Sequence, residues 1–168
     1  MDYTLKDNNQ RQEFAGGMVR EPQEDKMRYD LALDGPLVWE LLKGDKFSGV
    51  IKAAQDWYEN GGLWEAARIV HALAGVTDGG LSAIVDRYTV LMMKGAIKYS
   101  EHNWLKAEGE AELKRFIASF SRHLVKYLRG ETDEDHLAAI VFNLNGAEYV
   151  RNKIKAAAQL AAESDILF

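Results

Sequence analysis

Proline occurs only twice in this 168-residue chain, at Pro22 and Pro36, and both lie in its first quarter. A proline inside a helix removes an amide donor and collides with the preceding turn. From Leu37 onward that obstacle is absent, so the chain is free to run in long helices. No strand-like alternation and no internal repeat competes with that reading. Residues 1–36 differ, because Gly16-Gly17, Pro22 and Gly35-Pro36 interrupt them and no period is sustained. The expectation is an all-α helical bundle, a single domain over 1–168, entered by an extended N-terminal arm.

Composition narrows the function classes. Hydrophobic residues make up 47% and charged residues 28%, enough for one packed core. The net charge of −5 argues against wholesale nucleic-acid binding. Without cysteine there is no disulfide and no zinc–thiolate site, which suits a reducing cytoplasm. No apolar run is long enough to span a bilayer, and Met1–Arg20 lacks the apolar stretch of a signal peptide.

Apolar residues recur at helical spacing along the remaining chain. Phe47, Val50, Ile51, Ala54, Trp57 and Tyr58 stop at Asn60-Gly61-Gly62. Leu63, Ala66, Ala67, Val70, Leu73 and Ala74 stop before Asp78-Gly79-Gly80. A third helix spans about Leu81 to Tyr99, with Leu81, Ile84, Val85, Tyr88, Leu91, Met92 and Tyr99 in its core stripe. Arg87, Lys94 and Lys98 share one flank of it. A solvated basic face explains that flank most simply, and a strip facing a polyanion is the sharper reading. The fourth helix spans about Glu110 to Arg129, with Glu112, Ser119 and His123 along the edge of its apolar stripe and Arg115 and Arg122 further round. The fifth starts near Asp133, is apolar on two faces, and carries small residues that admit a close neighbour. An alanine-rich tail, Lys155 to Glu163, extends it or forms a further helix.

The densest chemistry lies at Glu131-Thr132-Asp133-Glu134-Asp135-His136, four carboxylates and a histidine in six residues. Thr132 and Asp135 have capping-box spacing, and Asp133 and Glu134 would complement the helix dipole. Capping gives no reason for Glu131, for His136, or for Asn143 two turns beyond His136 on the same side. The rival is an oxygen-rich site suited to Mg²⁺ or Mn²⁺. Spacing alone leans to the cap. A lone histidine beside an apolar stripe, such as His123, is more often a core residue. It joins the acids if the fourth and fifth helices pair antiparallel across the short turn at Gly130. Lys98-Tyr99-Ser100-Glu101-His102-Asn103-Trp104 sets an amide and an aromatic plane past the basic flank, which can stack on and read a base. Ordinary packing remains the simpler account of Trp104. Lys26 and Arg28 add two cations in the arm, and no Gly-rich phosphate loop, nucleophile elbow or HExxH is present.

In order along the chain come Gly17-Met18-Val19-Arg20, Lys26-x-Arg28-Tyr29, Leu33-Asp34-Gly35-Pro36, Lys94-Gly95-Ala96-Ile97-Lys98-Tyr99 with Asn103-Trp104, Arg115-Phe116-x-x-Ser119-x-x-Arg122-His123, and Gly130-Glu131-x-Asp133-Glu134-Asp135-His136-x-Ala138-Ala139 with Phe142-Asn143. This series resembles phage-encoded dATP/dGTP diphosphohydrolases, which are similar to the MazG-type pyrophosphohydrolases. It covers residues 16–36 and 85–151, while residues of about 43–82 do not match and read as an inserted helical pair. MazG-like enzymes hold magnesium with an ExxE on one helix and an ExxD on the next. Glu131-x-x-Glu134 fits the first half, and no ExxD follows.

The resemblance implies hydrolysis of purine deoxynucleoside triphosphates, dGTP or dATP, to monophosphate and pyrophosphate. It implies a homo-oligomer, dimer or tetramer, in the cytoplasm of the host cell. Catalysis falls to Glu131, Glu134, Asp135 and His123, and Mg²⁺ or Mn²⁺ to Glu131, Glu134, Asp135 and His136. Substrate contacts fall to Lys26, Arg28, Lys94, Lys98, Tyr99, Asn103, Trp104, Arg122 and Asn143. Trp57, Tyr58 and Trp64 read as exposed aromatics suited to the oligomer contact. Asp135→Ala is expected to abolish activity, far beyond the roughly 1 kcal/mol of a lost cap. The missing ExxD supports a rival, a catalytically inactive nucleotide-binding or helical partner-binding protein.

Overall fold

The computed structural model describes residues 9–24, 26–42 and 45–166. Among them seven helices follow one another: α1 (Tyr29–Leu33), α2 (Pro36–Leu42), α3 (Ser48–Asn60), α4 (Leu63–Ala74), α5 (Gly80–Tyr99), α6 (Glu110–Leu128) and α7 (His136–Ile166). Two-residue strands, β1 (Gln12–Glu13) and β2 (Val19–Arg20), pair antiparallel, and a 3-10 turn over Asn103–Lys106 links α5 to α6. The fold is all-α.

The arm is therefore not extended throughout. Its second half closes into α1 because tertiary contacts hold a helix too short to stand alone. Trp39 Nε1 donates to the Leu33 carbonyl at 2.8 Å, and the Tyr58 hydroxyl donates to the Asp30 carbonyl at 2.9 Å.

The axis of the fold is the antiparallel pair α6–α7. Phe116 of α6 meets Phe142 edge-on, and seven residues later on α6 His123 meets His136, six residues earlier on α7. Gly146 is required here, since a Cβ would collide with the Phe116 ring. The expected close approach on the small-residue face is thus present. Phe120 and Leu124 of α6 and Leu137, Ile140 and Leu144 of α7 fill the seam.

The α3–α4 pair adds Ile51, Trp57, Ile69 and Leu73 to the same core. Trp57 packs edge-on to Phe120 at 4.6 Å, and its Nε1 donates to Glu148 Oε1 at 2.7 Å. That contact corrects the expected aromatic surface: Trp57 is fully buried, Tyr58 is half-buried against Trp39, and of the three only Trp64 is exposed. The core stripe expected on α5 also changes. Ile84 is its one buried residue, while Leu81 and Val85 are exposed, because α5 packs chiefly against α4 and α7.

The helix start expected near Asp133 falls at His136, and α7 then runs unbroken through the alanine-rich tail. Among the described residues no helix is long and apolar enough to cross a membrane.

Candidate functional site

A cleft of about 800 Å³ opens between α5 and the α6–α7 pair, with Arg20 and Glu21 from the end of β2 on its wall. That is the size range of small-molecule sites. Its floor is basic. Arg115 and Arg122 are two turns apart on α6, and Arg20 lies against them from β2. Arg115 Nη1 donates to Ser119 Oγ at 3.0 Å and to Gln23 Oε1 at 3.1 Å. Arg20 stacks on the Phe116 and Phe142 rings and donates to Asn143 Oδ1 at 3.3 Å.

None of these three guanidiniums pairs with a carboxylate among the described residues. Arg20 Nη1, Arg115 Nε and Arg122 Nη1 are buried without a hydrogen-bond partner. Burial first, then repulsion from Arg115, pulls Arg20 down to about 9. Burial first, then Arg122, pulls Arg115 down to about 10. All three remain cations at neutral pH, and an unpaired buried cation is costly. Each open N–H is suited to a phosphate oxygen.

Arg20 is held there by a side chain acting as a strand. Val19 N donates to Asn103 Oδ1 at 2.9 Å, and Asn103 Nδ2 donates to the Val19 carbonyl at 2.8 Å. Ser100 (φ 106°) and His102 (φ 59°) take left-handed backbone, rare outside glycine, as the chain turns Asn103 toward β2. Both ends of the Asn103 amide are consumed, so its expected role as a base reader is replaced by positioning.

Lys26 and Lys98 enter the cleft as expected, both paired with Glu21. Lys94, Tyr99, Trp104, Arg122 and Asn143 also line it. Trp104 leans edge-on against Tyr149. Arg28 does not belong: it forms a bidentate pair with Asp30 and borders a separate, smaller hollow.

The acidic run divides. Asp135 caps α7, its Oδ1 accepting from Ala138 N at 3.0 Å, and both of its oxygens accept from Arg87 at 2.6 and 2.8 Å. Thr132 is thus not the cap, and the expected assignment of Asp135 to a metal is replaced by these bonds. Glu131 pairs with Lys126 and Arg129, both at 3.3 Å, and does not line the cleft. Because α7 starts at His136, Glu131 and Glu134 sit in a loop and share no helix face. Glu134 faces the cleft.

The residues that converge are His123, Glu134 and His136, whose ligand atoms lie within 4.8 Å of one another. Glu131, Asp133 and His136 form a second such group. His123 Nδ1 lies 2.9 Å from His136 Nδ1, and His136 Nε2 lies 2.8 Å from Asp133 Oδ1. Arg122 Nη2, a donor only, lies 3.4 Å from His123 Nε2. One tautomer set satisfies this chain: His123 donates from Nδ1 to His136, and His136 donates from Nε2 to Asp133. Burial, then Arg122 and His136, hold His123 well below the usual histidine range. A cation bound between the rings would displace the shared proton. Two imidazoles with one carboxylate suit Mn²⁺ better than Mg²⁺, which prefers oxygen donors. The carboxylate behind His136 is the outer support that ligating histidines use.

Arg20, Arg115, Glu21 and Asp133 escaped the sequence reading as site residues. The available signal was on α6, where Glu112, Arg115, Ser119, Arg122 and His123 put more polar groups beside the apolar stripe than a solvated edge needs. All five are buried.

Residues 82–158 match the family model described as dATP/dGTP diphosphohydrolase, N-terminal. The match contains α6, nearly all of α5 and α7 through Ala158, and omits both the 16–36 motifs and the α3–α4 pair. No curated protein and no solved structure matches the chain. Residues 82–158, which build most of the cleft, are thus similar to the dATP/dGTP diphosphohydrolase N-terminal family.

Proposed function

We propose that the chain hydrolyses purine deoxynucleoside triphosphates, dGTP or dATP, to the monophosphate and pyrophosphate. One observation carries this reading: Arg20, Arg115 and Arg122 converge on a ligand-sized cleft with buried N–H donors open and, among the described residues, no ion pair to a carboxylate. A polyphosphate supplies both the missing acceptors and the missing charge. The apolar part of the cleft, Leu91, Met92, Trp104 and Phe142, offers faces on which a purine can lie.

His123, Glu134 and His136 are the residues that would hold a divalent ion, Mn²⁺ before Mg²⁺. Bound there, such an ion would supply Lewis acidity toward the phosphoryl oxygens and an attacking water. The arginines hold the phosphate chain and stabilise charge as the α–β linkage breaks. Asn103 and Ser119 keep Arg20 and Arg115 in place.

The active form is a homo-oligomer in the host cytoplasm. The α5 ridge of Val85, Met93 and Ile97, the last 89% exposed, is the surface a second copy covers. Light scattering at micromolar concentration then gives a dimer or larger, and a monomer removes this part. The activity is tested by incubating the protein with dGTP, dATP and other triphosphates, with Mn²⁺ or Mg²⁺, and measuring pyrophosphate. Release from the purine nucleotides is expected. Binding without release from any purine triphosphate would leave only the nucleotide-binding rival.

A further inference from the structure

The cleft holds two tiers of cation, and they differ in one respect. The arginine tier has open donors. The lysine tier is already engaged by the Glu21 carboxylate. Glu21 Oε2 accepts from Lys26 at 2.8 Å, and Glu21 Oε1 accepts from Lys98 across the cleft. The three side chains line the cleft together, and the Glu21 and Lys98 side chains are largely buried. The tiers are joined at the same residue, since Arg115 Nη2 donates to the Glu21 main-chain carbonyl at 2.8 Å.

Glu21 belongs to neither candidate metal group. Burial alone would raise it, but the hydrogen bonds from Lys26 and Lys98 outweigh burial and hold it below the ordinary carboxylate range. It is an ionised anion in the place where a cleft for polyphosphate needs cations. Its neighbour Val19 is pinned by Asn103 and the Arg20 side chain by Asn143, so the carboxylate is presented by a fixed backbone.

We propose that Glu21 is an internal stand-in for the far end of a polyphosphate chain and sets the chain length this site accepts. A monophosphate engages the arginine tier and leaves Glu21 on its lysines. A longer chain reaches Lys26 and Lys98 and must displace the Glu21 carboxylate. Displacement lowers the apparent affinity by the fraction of molecules in which the lysines are free. Only a ligand with several charges recovers that loss from both lysines. Glu21 therefore determines specificity for triphosphate over shorter chains and returns to the lysines when the chain is cut. This inference rests on the polyphosphate reading of the cleft.

The test is calorimetric binding of inorganic tripolyphosphate, pyrophosphate and orthophosphate to the full chain without divalent ion. Glu21→Gln is expected to bind tripolyphosphate about tenfold more tightly than wild type, with orthophosphate changed less than about twofold. Glu163→Gln, the same charge change on the exposed end of α7, controls for net charge. Glu21→Asp retains the charge but is too short to bridge both lysines, and gives an intermediate gain that keeps the test open if Glu21→Gln folds poorly. Unchanged or weaker tripolyphosphate binding in both variants would overturn the proposal. So would an equal gain for all three anions. Binding needs no hydrolysis, so tight, length-dependent binding by a protein that releases no pyrophosphate from nucleotides would sink the enzyme reading and leave this one standing.

Discussion

The arginine floor on α6 and the acidic loop between α6 and α7 carry opposite charge a short distance apart, and their bonding is opposite too. In the loop, Glu131 is spent on Lys126 and Arg129, Asp133 on Lys126 and His136, and Asp135 on Arg87 and a helix cap. Glu134 alone makes no ion pair among the described residues and faces the cleft. On the floor, three guanidiniums form no ion pair with a carboxylate among the described residues and keep buried donors open. Paired charge here is architecture. Unpaired buried charge is destabilising by itself, and that cost is what supports the proposal of a ligand on the floor.

The widest separation between the two regions comes from Arg122→Met. It removes a phosphate donor and replaces a buried unpaired cation with an apolar chain of similar length. Loss of one such donor costs roughly 10²- to 10³-fold in turnover. Stability is expected to hold or rise, because no carboxylate is left behind. Steady-state pyrophosphate release and a thermal melt on the same preparation check both halves. Normal turnover with a lowered melting temperature would reverse the assignment of the floor.

Asp135→Ala tests the loop. It removes the α7 cap and the two Arg87 hydrogen bonds, and a loss of about 2 kcal/mol in stability is expected. At a temperature where the variant is folded, its turnover falls far less than that of Arg122→Met. This replaces the abolition of activity expected from the motif alone. Denaturant melts with kinetics at low temperature separate the outcomes, and a fully folded but inactive variant would return Asp135 to the chemistry.

Much of the scaffold was legible. The 3.6-residue stripe of Leu113, Phe116, Phe120 and Leu124 and the short turn after Arg129 suffice for an antiparallel α6–α7 pair. The site was legible only where local spacing decides it. Thr132 and Asp135 are both good caps, and a tertiary partner chose between them: Arg87 on α5, 48 residues away, fixes Asp135. Arg20 reads as an arm residue until Asn103, 84 positions from Val19, pairs with that backbone. Leu81 and Val85 repeat like core residues, yet both are exposed on α5, which packs chiefly against α4 and α7. Periodicity reports an apolar face without saying what covers it.

Glu21 is a third case, a paired carboxylate placed among the floor's cations. Its folded pKa lies below the ordinary 4.5. As pH falls, the unfolded chain therefore takes up the proton first. The stabilisation is complete above about pH 4.5 and is lost as pH drops through the lower folded value. Glu21→Gln should flatten the dependence of stability on pH below about 4.5, measured by urea melts between about pH 3 and 6. An unchanged acid limb would mean that its ion pairs with Lys26 and Lys98 contribute no net stability.

The smallest effect is expected at the residue whose sequence context looked richest. Glu131 heads the acidic run, yet its partners Lys126 and Arg129 lie at the α6 end, and the Arg129 side chain is well exposed. Partly exposed pairs at 3.3 Å are long and screened, so Glu131→Gln should cost less than about 0.5 kcal/mol. Glu131 reaches the histidine centre only through the second group, with Asp133 and His136, behind the ring face that meets His123. If the centre is His123, Glu134 and His136, Glu131→Gln keeps Mn²⁺ affinity and turnover within about twofold, while Glu134→Gln loses both. Manganese titration followed by electron paramagnetic resonance distinguishes the two variants without relying on activity. A loss of bound Mn²⁺ in Glu131→Gln equal to that in Glu134→Gln would move the ion to the other side of His136. The loop would then be a site and its ion pairs the resting state of that site, which is the one outcome that dissolves the contrast between floor and loop.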